Sequence, residues 1–500
     1  MNKPGTADET KYDIADPDPV AMIEALRAFG YDLPSAIADL VDNSIFAKAK
    51  NIWVDFFWNG ADSSICVTDD GHGMTERRLL NAMRPGSQNP LEARDTSDLG
   101  RYGLGLKTAS FSQCRRLSVR SQVAQGIPST RCWDLDFVAR KKRWFLLRDA
   151  GKSAEPHFKR LSTMPQGTAA LWQEMDRLVA DNQVNDAVQK RHFHDRIAAV
   201  EAHLGMVFHR FLASKRLTIY INDQKIEPWD PFLTSEKATQ QLADERLSLL
   251  QGRIRIVPYV LPHATKIAPE KHQRAGGTKG WNAHQGFYVY RNERLLVAGD
   301  WLGLPFAKEE HFKLARILVD IPNSMDHQWD IDVTKSRAVP PDALRPEFKH
   351  IADITRRRAS EIYRHRGKVV ARKSSQDFVF AWQQIQRRGK FLYKINREHP
   401  LVRHAVQADP DIVNPLLRLI EETVPIPLLT ITNSEHPDTH CGPFEGASTK
   451  EIYALMGDVY AVMLSAKVNR SEALERLAVM EPFDRYPELV ETFKEQLRQK

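Results

Sequence analysis

This 500-residue chain has four cysteines, Cys66, Cys114, Cys132 and Cys441, and no two of them form a CxxC pair. That scatter argues against a disulfide framework and against a zinc site, and it fits a reducing compartment. No uninterrupted apolar stretch approaches the roughly 20 residues that span a bilayer. The opening residues, MNKPGTADETKYD, lack the apolar core of a secretory signal. A cytoplasmic protein with no membrane partner is therefore expected. Internal repeats and long low-complexity tracts are missing as well. What is present is an ordinary globular composition, 42% hydrophobic and 27% charged, with a net charge of +7. Such an excess permits an anionic partner without requiring one. At roughly 100–200 residues per domain, about two to four domains are expected.

The pattern along the chain reads as α+β. A first helix should open at Asp18-Pro19, since Asp caps well and Pro suits the first helical position. A second begins near Pro34, where Ile37, Leu40, Val41, Ser44 and Ile45 form a packed stripe. Its other face, expected to point away from the core, carries Asp39, Asp42 and Asn43. Strands follow at 51–58 and 63–70, then the turn DDGHGM, a helix in TERRLLNAM, and an irregular polar segment over 84–99. Alternating runs at 115–121, 131–138, 143–149 and 168–174 predict an antiparallel meander. A helical stretch over 185–213 leads to a second α+β region. Its strands are expected at 217–222, 253–260 and 313–321, with a hairpin over 286–296 turning at Asn292. From 345 to 397 the chain is basic and reads as helical. Beyond it Ser448-x-x-Glu451 predicts a capping box. Domains are thus expected at 1–215, 216–344 and 345–500.

Four elements converge on phosphoanhydride chemistry. On the second helix, Asp39 offers a carboxylate to orient or deprotonate water, and Asn43 an oxygen ligand for Mg²⁺, side by side at i and i+4. At a strand end, Asp70-Gly71-His72-Gly73-Met74 offers an acceptor for an adenine amine, glycines for close approach and a methionine to pack on the ring. Gly100-Arg101-Tyr102-Gly103-Leu104-Gly105-Leu106-Lys107 opens a helix, so backbone N–H groups and a lysine could cradle phosphates. It has neither Walker A spacing nor a surrounding βαβ unit. Gly167-Thr168 enters a strand with a hydroxyl. The histidines of HFHDR (192–196), His203 and His209 lack metal-binding spacing and read as ordinary residues.

Taken in order, ADLVDNS, VTDDGHGM, GRYGLGLKTAS and QGT resemble the four signature boxes of the GHKL ATPases, over about residues 18–175. That superfamily holds gyrase B subunits, ninety-kilodalton heat-shock chaperones, histidine kinases, MutL and MORC proteins, and the chain looks closest to the MORC, MutL and chaperone branch. The resemblance implies a Bergerat-type α/β sandwich, a transducer-like second domain and a helical C-terminal region. It implies Asn43 as Mg²⁺ ligand and Asp70 as adenine anchor, with Gly73 and Met74 along the base. Gly100, Gly103, Leu104, Gly105 and Lys107 would hold the phosphates, and Thr168 would join the adenine water network. Asp39 stands where the family usually has Glu, one methylene longer, so slow hydrolysis is expected. Lys335, in WDIDVTKSRAVPP, resembles the transducer lysine that senses the γ-phosphate. A homodimer that closes on ATP is implied, acting on DNA through the basic 345–397 stretch with its interleaved Tyr363, Phe378, Trp382, Phe391 and Tyr393. The alternative is a nucleotide-gated adaptor that binds a protein partner without nucleic acid. A histidine kinase is disfavoured because only a short leader precedes the ATP boxes. A gyrase is disfavoured because nothing after 345 resembles a metal-binding cleavage module.

Overall fold

Two aspartates decide where the first helices begin. In the computed structural model, Asp18 accepts the N–H groups of Val20 and Ala21 at the start of α1 (Pro19–Arg27). Asp32 accepts that of Ser35 at the start of α2 (Leu33–Phe46), where Pro34 sits in the first turn. The structure describes residues 16–28, 30–86, 105–179, 184, 186–249, 252–326, 328–331, 338–364, 381–387, 390–429, 444, 447–466, 468–478, 480, 482–483 and 486–498.

The first sheet is built from β1 (Asn51–Phe57), β2 (Ser64–Asp69), β3 (Arg116–Gln122), β4 (Ser129–Asp134), β5 (Gly167–Gln173), β6 (Thr218–Ile221) and β7 (Gln224–Lys225). Between these strands run α3 (Glu76–Met83), α4 (Gly105–Gln113), α5 (Leu135–Lys141), α6 (Lys159–Ser162), α7 (Ala187–Val207) and α8 (His209–Ala213). The strand order is β4-β3-β5-β2-β1-β6-β7. Only the β1–β6 pair is parallel. The expected sequential meander is corrected in three ways. First, β5 inserts between β3 and β2. Second, β4 stops at Asp134, whose side chain accepts the Phe137 N–H and starts α5 inside the run expected as a strand. Third, the 143–149 run contributes a single bridge, Cys132 to Leu147.

Alternation along β2 assigns the two faces. Ile65 and Val67 pack with Ile23, Ile37, Val41, Phe111 and Leu204 of α1, α2, α4 and α7. Cys66 points the other way, against Ala154, Phe158 and Leu161. Both faces being covered, every residue of β2 is buried.

β6 was expected in the second region. Instead it pairs with β1 from Asn51↔Thr218 to Val54↔Ile221, so the first sheet extends to Lys225, past the expected break at 215. The second sheet comprises β8 (Gln240–Gln241), β9 (Glu245–Leu249), β10 (Gly252–Val260), β11 (Gly286–Arg291), β12 (Arg294–Asp300) and β13 (Ala315–Ile321), with α9 (Pro269–Ala275) and α10 (Gly280–Ala283) ahead of β11. Its order is β12-β11-β13-β10-β8, and β9 pairs with β10. One face gathers Val257, Tyr259, Tyr288, Tyr290 and Leu318 around Phe232. On the other, Phe287 meets Phe348 of α11 (Arg345–Arg364), ring centroids 5.0 Å apart.

The chain divides into two compact units, 1–308 with 313–359, and 309–312 with 360–500. The second unit holds β14 (Trp382–Arg387) and β15 (Lys390–Ile395), then α12 (Pro400–Ala408) and α13 (Pro410–Glu422), and later helices Thr449–Ser465, Arg470–Ala478 and Pro487–Arg498. The hairpin corrects the expectation that 345–397 is helical throughout. Its second strand, KFLYKI, is rich in the aromatic and β-branched residues that favour strands, and the surrounding charge run masked them. The Ser448–Glu451 capping box is formed as expected. Ile452, Met456, Val459 and Met463 of the helix it starts pack on Leu477, Phe483 and Phe493. Among the described residues no helix is long and apolar enough to cross a membrane.

Candidate active site

Three strands place three polar side chains in one row. Asp69 ends β2 directly opposite Thr168 of β5, and Thr168 lies opposite Ser121 of β3. Directly opposed residues project to the same side of a sheet, here the side covered by the helices. Asp69 is 5% exposed. Its Oδ2 accepts the Ser44 hydroxyl of α2 at 2.8 Å, and its Oδ1 accepts the Gly71 N–H at 2.9 Å. Burial pushes its carboxyl up to about 6, although the bonds from Ser44 and Gly71 favour the ionised form. The Ser121 hydroxyl joins the row to the following bend. It accepts the Met74 N–H at 2.8 Å and lies 2.8 Å from Thr168 Oγ1 and 3.1 Å from the Gly167 carbonyl.

Two glycines let this bend close on the sheet. Gly73 has φ +64°, and a Cβ there would stand 1.9 Å from the Gln122 carbonyl oxygen. Gly167 has φ +145°, and its Cβ would stand 2.1 Å from the Asp69 carbonyl oxygen. Both obstacles are backbone, which cannot rotate aside. Only glycine fits.

Asp70, the expected adenine anchor, faces elsewhere. Its Oδ1 accepts the N–H groups of Lys50 and Asn51 at 2.7 and 2.9 Å, and its Oδ2 accepts Asn51 Nδ2 at 2.8 Å. That carboxylate caps the start of β1. The physical reason is the period of two: neighbouring residues at a strand end point to opposite sides, and the sheet puts Asp69 on the helix side. The signal was available. A D-x-G-x-G string read from Asp69 through Gly71 to Gly73 begins on the carboxylate that the sheet turns toward the helices.

A second polar cluster sits on α2. Asp39 and Asp42 were expected to face away from the core, yet they are 3% and 2% exposed. Two buried carboxylates one helical turn apart need a cation and hydrogen-bond donors. Arg294 of β12, itself 3% exposed, is that cation. Its Nε lies 2.8 Å from Asp42, and a terminal nitrogen stands 3.8 Å from Asp39 Oδ1. The Tyr31 hydroxyl donates to Asp39 Oδ2 at 2.8 Å. Burial and the neighbouring Asp39 carboxylate hold that phenol far above its ordinary range, so it stays a donor. The helix face looked solvated because its cover comes from a strand residue 252 positions away. Asn43 is exposed beside the cluster.

α4 starts next to Asp39, whose Oδ2 lies 3.5 Å from where a Gly105 Cβ would be. Lys107 is buried in the first turn of α4, and its ammonium donates to the Ala82 carbonyl at the end of α3, 2.8 Å away. Burial lowers its pKa to about 8. Gly100, Gly103, Leu104 and Lys335 lie outside the described residues, as does Phe378. The structure thus brings together Gly73, Met74 and Thr168 in one group, and Asp39 and Gly105 in another, with Ser44 of α2 bonded to the first. Sequence reading missed Tyr31, Ser44, Asp69, Ser121 and Arg294. Ser44 had been read as a packing residue. For Ser121 and Arg294 no local signal exists, since strand register and a second-sheet hairpin place them.

The donor set fits an adenine nucleotide. A buried carboxylate flanked by hydroxyls suits an exocyclic amine with ring nitrogens, and backbone N–H groups at the start of a nine-residue helix suit an anion.

Comparison with known proteins agrees. Residues 31–168 match the family model described as histidine kinase-, DNA gyrase B-, and HSP90-like ATPase. The ATPase morc-1 of Caenorhabditis elegans is 37% identical over 83 residues, 17% of this chain and 9% of that protein. The DNA mismatch repair protein MutL of Dictyoglomus turgidum is 34% identical over 90 residues, 18% of this chain and 16% of that protein. The matches therefore span a small part of either relative. The ATPase and transducer domains of DNA topoisomerase II from Balamuthia mandrillaris align with a TM-score of 0.37 and 10% identity, covering 67% of this chain and 86% of that one. Residues 31–168 therefore carry an ATPase domain of the GHKL superfamily.

Proposed function

We propose that this chain binds ATP with Mg²⁺, hydrolyses it slowly to ADP and phosphate, and uses the cycle to open and close a homodimeric clamp on DNA or a DNA-bound partner. The observation that carries the nucleotide reading is the row Asp69–Thr168–Ser121, closed by the Gly73 bend and tied to α2 through Ser44. In this reading Asp69 accepts the adenine amine, and Thr168 and Ser121 order the water beside it. Met74, half-buried against the core, packs on the ring. Asp70 keeps a structural task at β1.

Asp39 is the general base. Tyr31 orients one of its oxygens and leaves the other turned toward Arg294. An Asp in place of the usual Glu sits one methylene further from the attacked phosphorus, and about 1 Å of misplacement costs on the order of 100-fold in rate. Slow turnover follows. Mg²⁺, held by Asn43, would neutralise phosphate charge. The start of α4 at Gly105, together with Gly100, Gly103, Leu104 and Lys107, would cradle the phosphates, and Lys335 would reach the γ-phosphate.

The DNA-bound setting draws on the relatives, one of which is by name a DNA mismatch repair protein. It also draws on the basic hairpin, where Trp382 and Tyr393 are 43% and 39% exposed beside the exposed Lys394. Aromatic rings among cations suit base stacking and phosphate contact. The test is calorimetry of the full chain with a non-hydrolysable ATP analogue and Mg²⁺, paired with light scattering in the presence and absence of duplex DNA. One bound nucleotide per chain and a doubled mass are expected. Absence of any heat from folded protein removes the nucleotide reading. Binding without a change of mass removes the clamp.

A further inference from the structure

The cycle just described uses Asp39 but leaves Arg294 and Asp42 without a task. Arg294 ties the second sheet to α2 through Asp42. Its placement is over-determined. The β11–β12 turn uses Asn292 and Glu293 with φ +47° and +67°, the tight hairpin geometry that fixes strand register. Arg291 and Arg294 close that turn as a pair. Arg291 is anchored to Asp326, its Nε at 2.7 Å from the carboxylate. Glu293 is ion-paired with Arg216. With turn and flank fixed, the Arg294 side chain reaches back past the Phe208 ring, 5.7 Å from its centroid, and into the α2 cluster.

One terminal nitrogen donates to the Leu295 carbonyl at 3.3 Å, and the guanidinium's two contacts with α2 differ in kind. At 2.8 Å from Asp42 the Nε makes a charge-assisted hydrogen bond that fixes the carboxylate. At 3.8 Å from Asp39 the terminal nitrogen attracts without holding. Asp42 therefore takes the clamp, and Asp39, one turn earlier on the same helix, takes its position from a helix pinned at Asp42 and from the Tyr31 hydroxyl. We propose that Arg294 is a positioning residue, through which the second sheet sets the place of the Asp39 carboxylate by clamping Asp42. The inference rests on the assignment of Asp39 as base and deepens it. Docking of the β11–β12 hairpin and competence of the nucleotide site become one event, so any movement of the second sheet is felt first as a shift of α2.

The test uses the full chain with the substitutions R294Q, R294K and D42N and the double variant R294Q/D42N. Turnover of Mg²⁺-ATP and calorimetric affinity for the non-hydrolysable analogue are read separately. R294Q is expected to lower kcat by at least 30-fold while the analogue affinity stays within threefold. R294K keeps the charge without the planar fork and should recover part of the rate. The double variant removes both ends of the Arg294–Asp42 pair and leaves Asp39 its hydrogen bond from Tyr31. It should be no slower than D42N alone, because the two residues act as one unit. Equal kcat in R294Q and wild type, with only the melting temperature lowered, would make Arg294 a purely structural bond. Additive losses in the double variant would equally overturn the proposal. Failure of the wild type to bind the analogue refutes the nucleotide reading itself. Wild-type binding with unaffected Arg294 variants refutes only this inference.

Discussion

Replacing Asp69 by Asn is the perturbation that separates the two adjacent aspartates. In the folded protein Asp69 is a buried carboxylate with its pKa near 6, against 3.8 for a free side chain. Two pKa units correspond to about 3 kcal/mol of penalty for keeping it charged at neutral pH. Asn removes that penalty. It also replaces one acceptor oxygen by an amide, so either the Ser44 hydroxyl or the Gly71 N–H loses its partner, at about 1–3 kcal/mol. The two effects oppose each other, and the fold should lose or gain no more than about 2 kcal/mol. The nucleotide has no such compensation. An adenine amine that loses an ionised acceptor forfeits about 1.5–3 kcal/mol, or roughly ten- to 150-fold in affinity. Asp70→Asn has the opposite signature. It weakens a carboxylate that accepts three N–H bonds from Lys50 and Asn51, so stability falls by about 1–3 kcal/mol while nucleotide affinity stays within about threefold. Thermal denaturation and calorimetric titration of both variants decide the matter. Equal affinity loss in the two, or none in Asp69→Asn, would refute the assignment of the buried carboxylate to the base.

Gly73→Ala puts a methyl 1.9 Å from the Gln122 carbonyl oxygen, where roughly 3.3 Å is an ordinary contact, at a positive φ. Overpacking at about 1–3 kcal/mol plus about 1–2 kcal/mol for the left-handed backbone predicts a loss of about 2–5 kcal/mol, read as a lower melting temperature. Protein that still folds should bind the ATP analogue weakly, since the bend must retreat from the Asp69 row. Stability should also track pH through Asp69. Its folded-state pKa is raised, so the native state holds the proton more tightly than the unfolded chain. The contribution is full below about pH 4 and is lost as pH rises through about 6, by up to about 3 kcal/mol. The stability of wild type relative to Asp69→Asn should fall over that window, and a flat difference curve contradicts the buried-carboxylate picture. Analogue affinity of the wild type should weaken as pH drops below about 6, when Asp69 gains a proton and ceases to be a pure acceptor.

Local rules were enough for the elements whose causes are local. Asp18-Pro19 and Asp32 capped helices where their chemistry required, Ser448 and Glu451 formed their box, and Asn292 turned a hairpin. The order of the glycine-containing segments was enough to identify the superfamily of residues 31–168. Three features were beyond such rules. Strand order depends on which hydrophobic faces meet, so nothing along the chain announced that β5 would insert between β3 and β2, or that β6 would join the first sheet. Register then decided that Ser121, Thr168 and Asp69 would share a row, while the adjacent Asp70 turned toward β1. Burial was decided last. Asp39 and Asp42 look like a solvated helix face until Arg294 arrives from another sheet and makes two buried carboxylates tolerable. Motif order along the chain was enough to show that carboxylates, glycines and a lysine gather in the first domain. Folding settled which of two neighbouring aspartates faces the helices and what charge stands behind Asp39 and Asp42, because both depend on contacts between residues far apart along the chain.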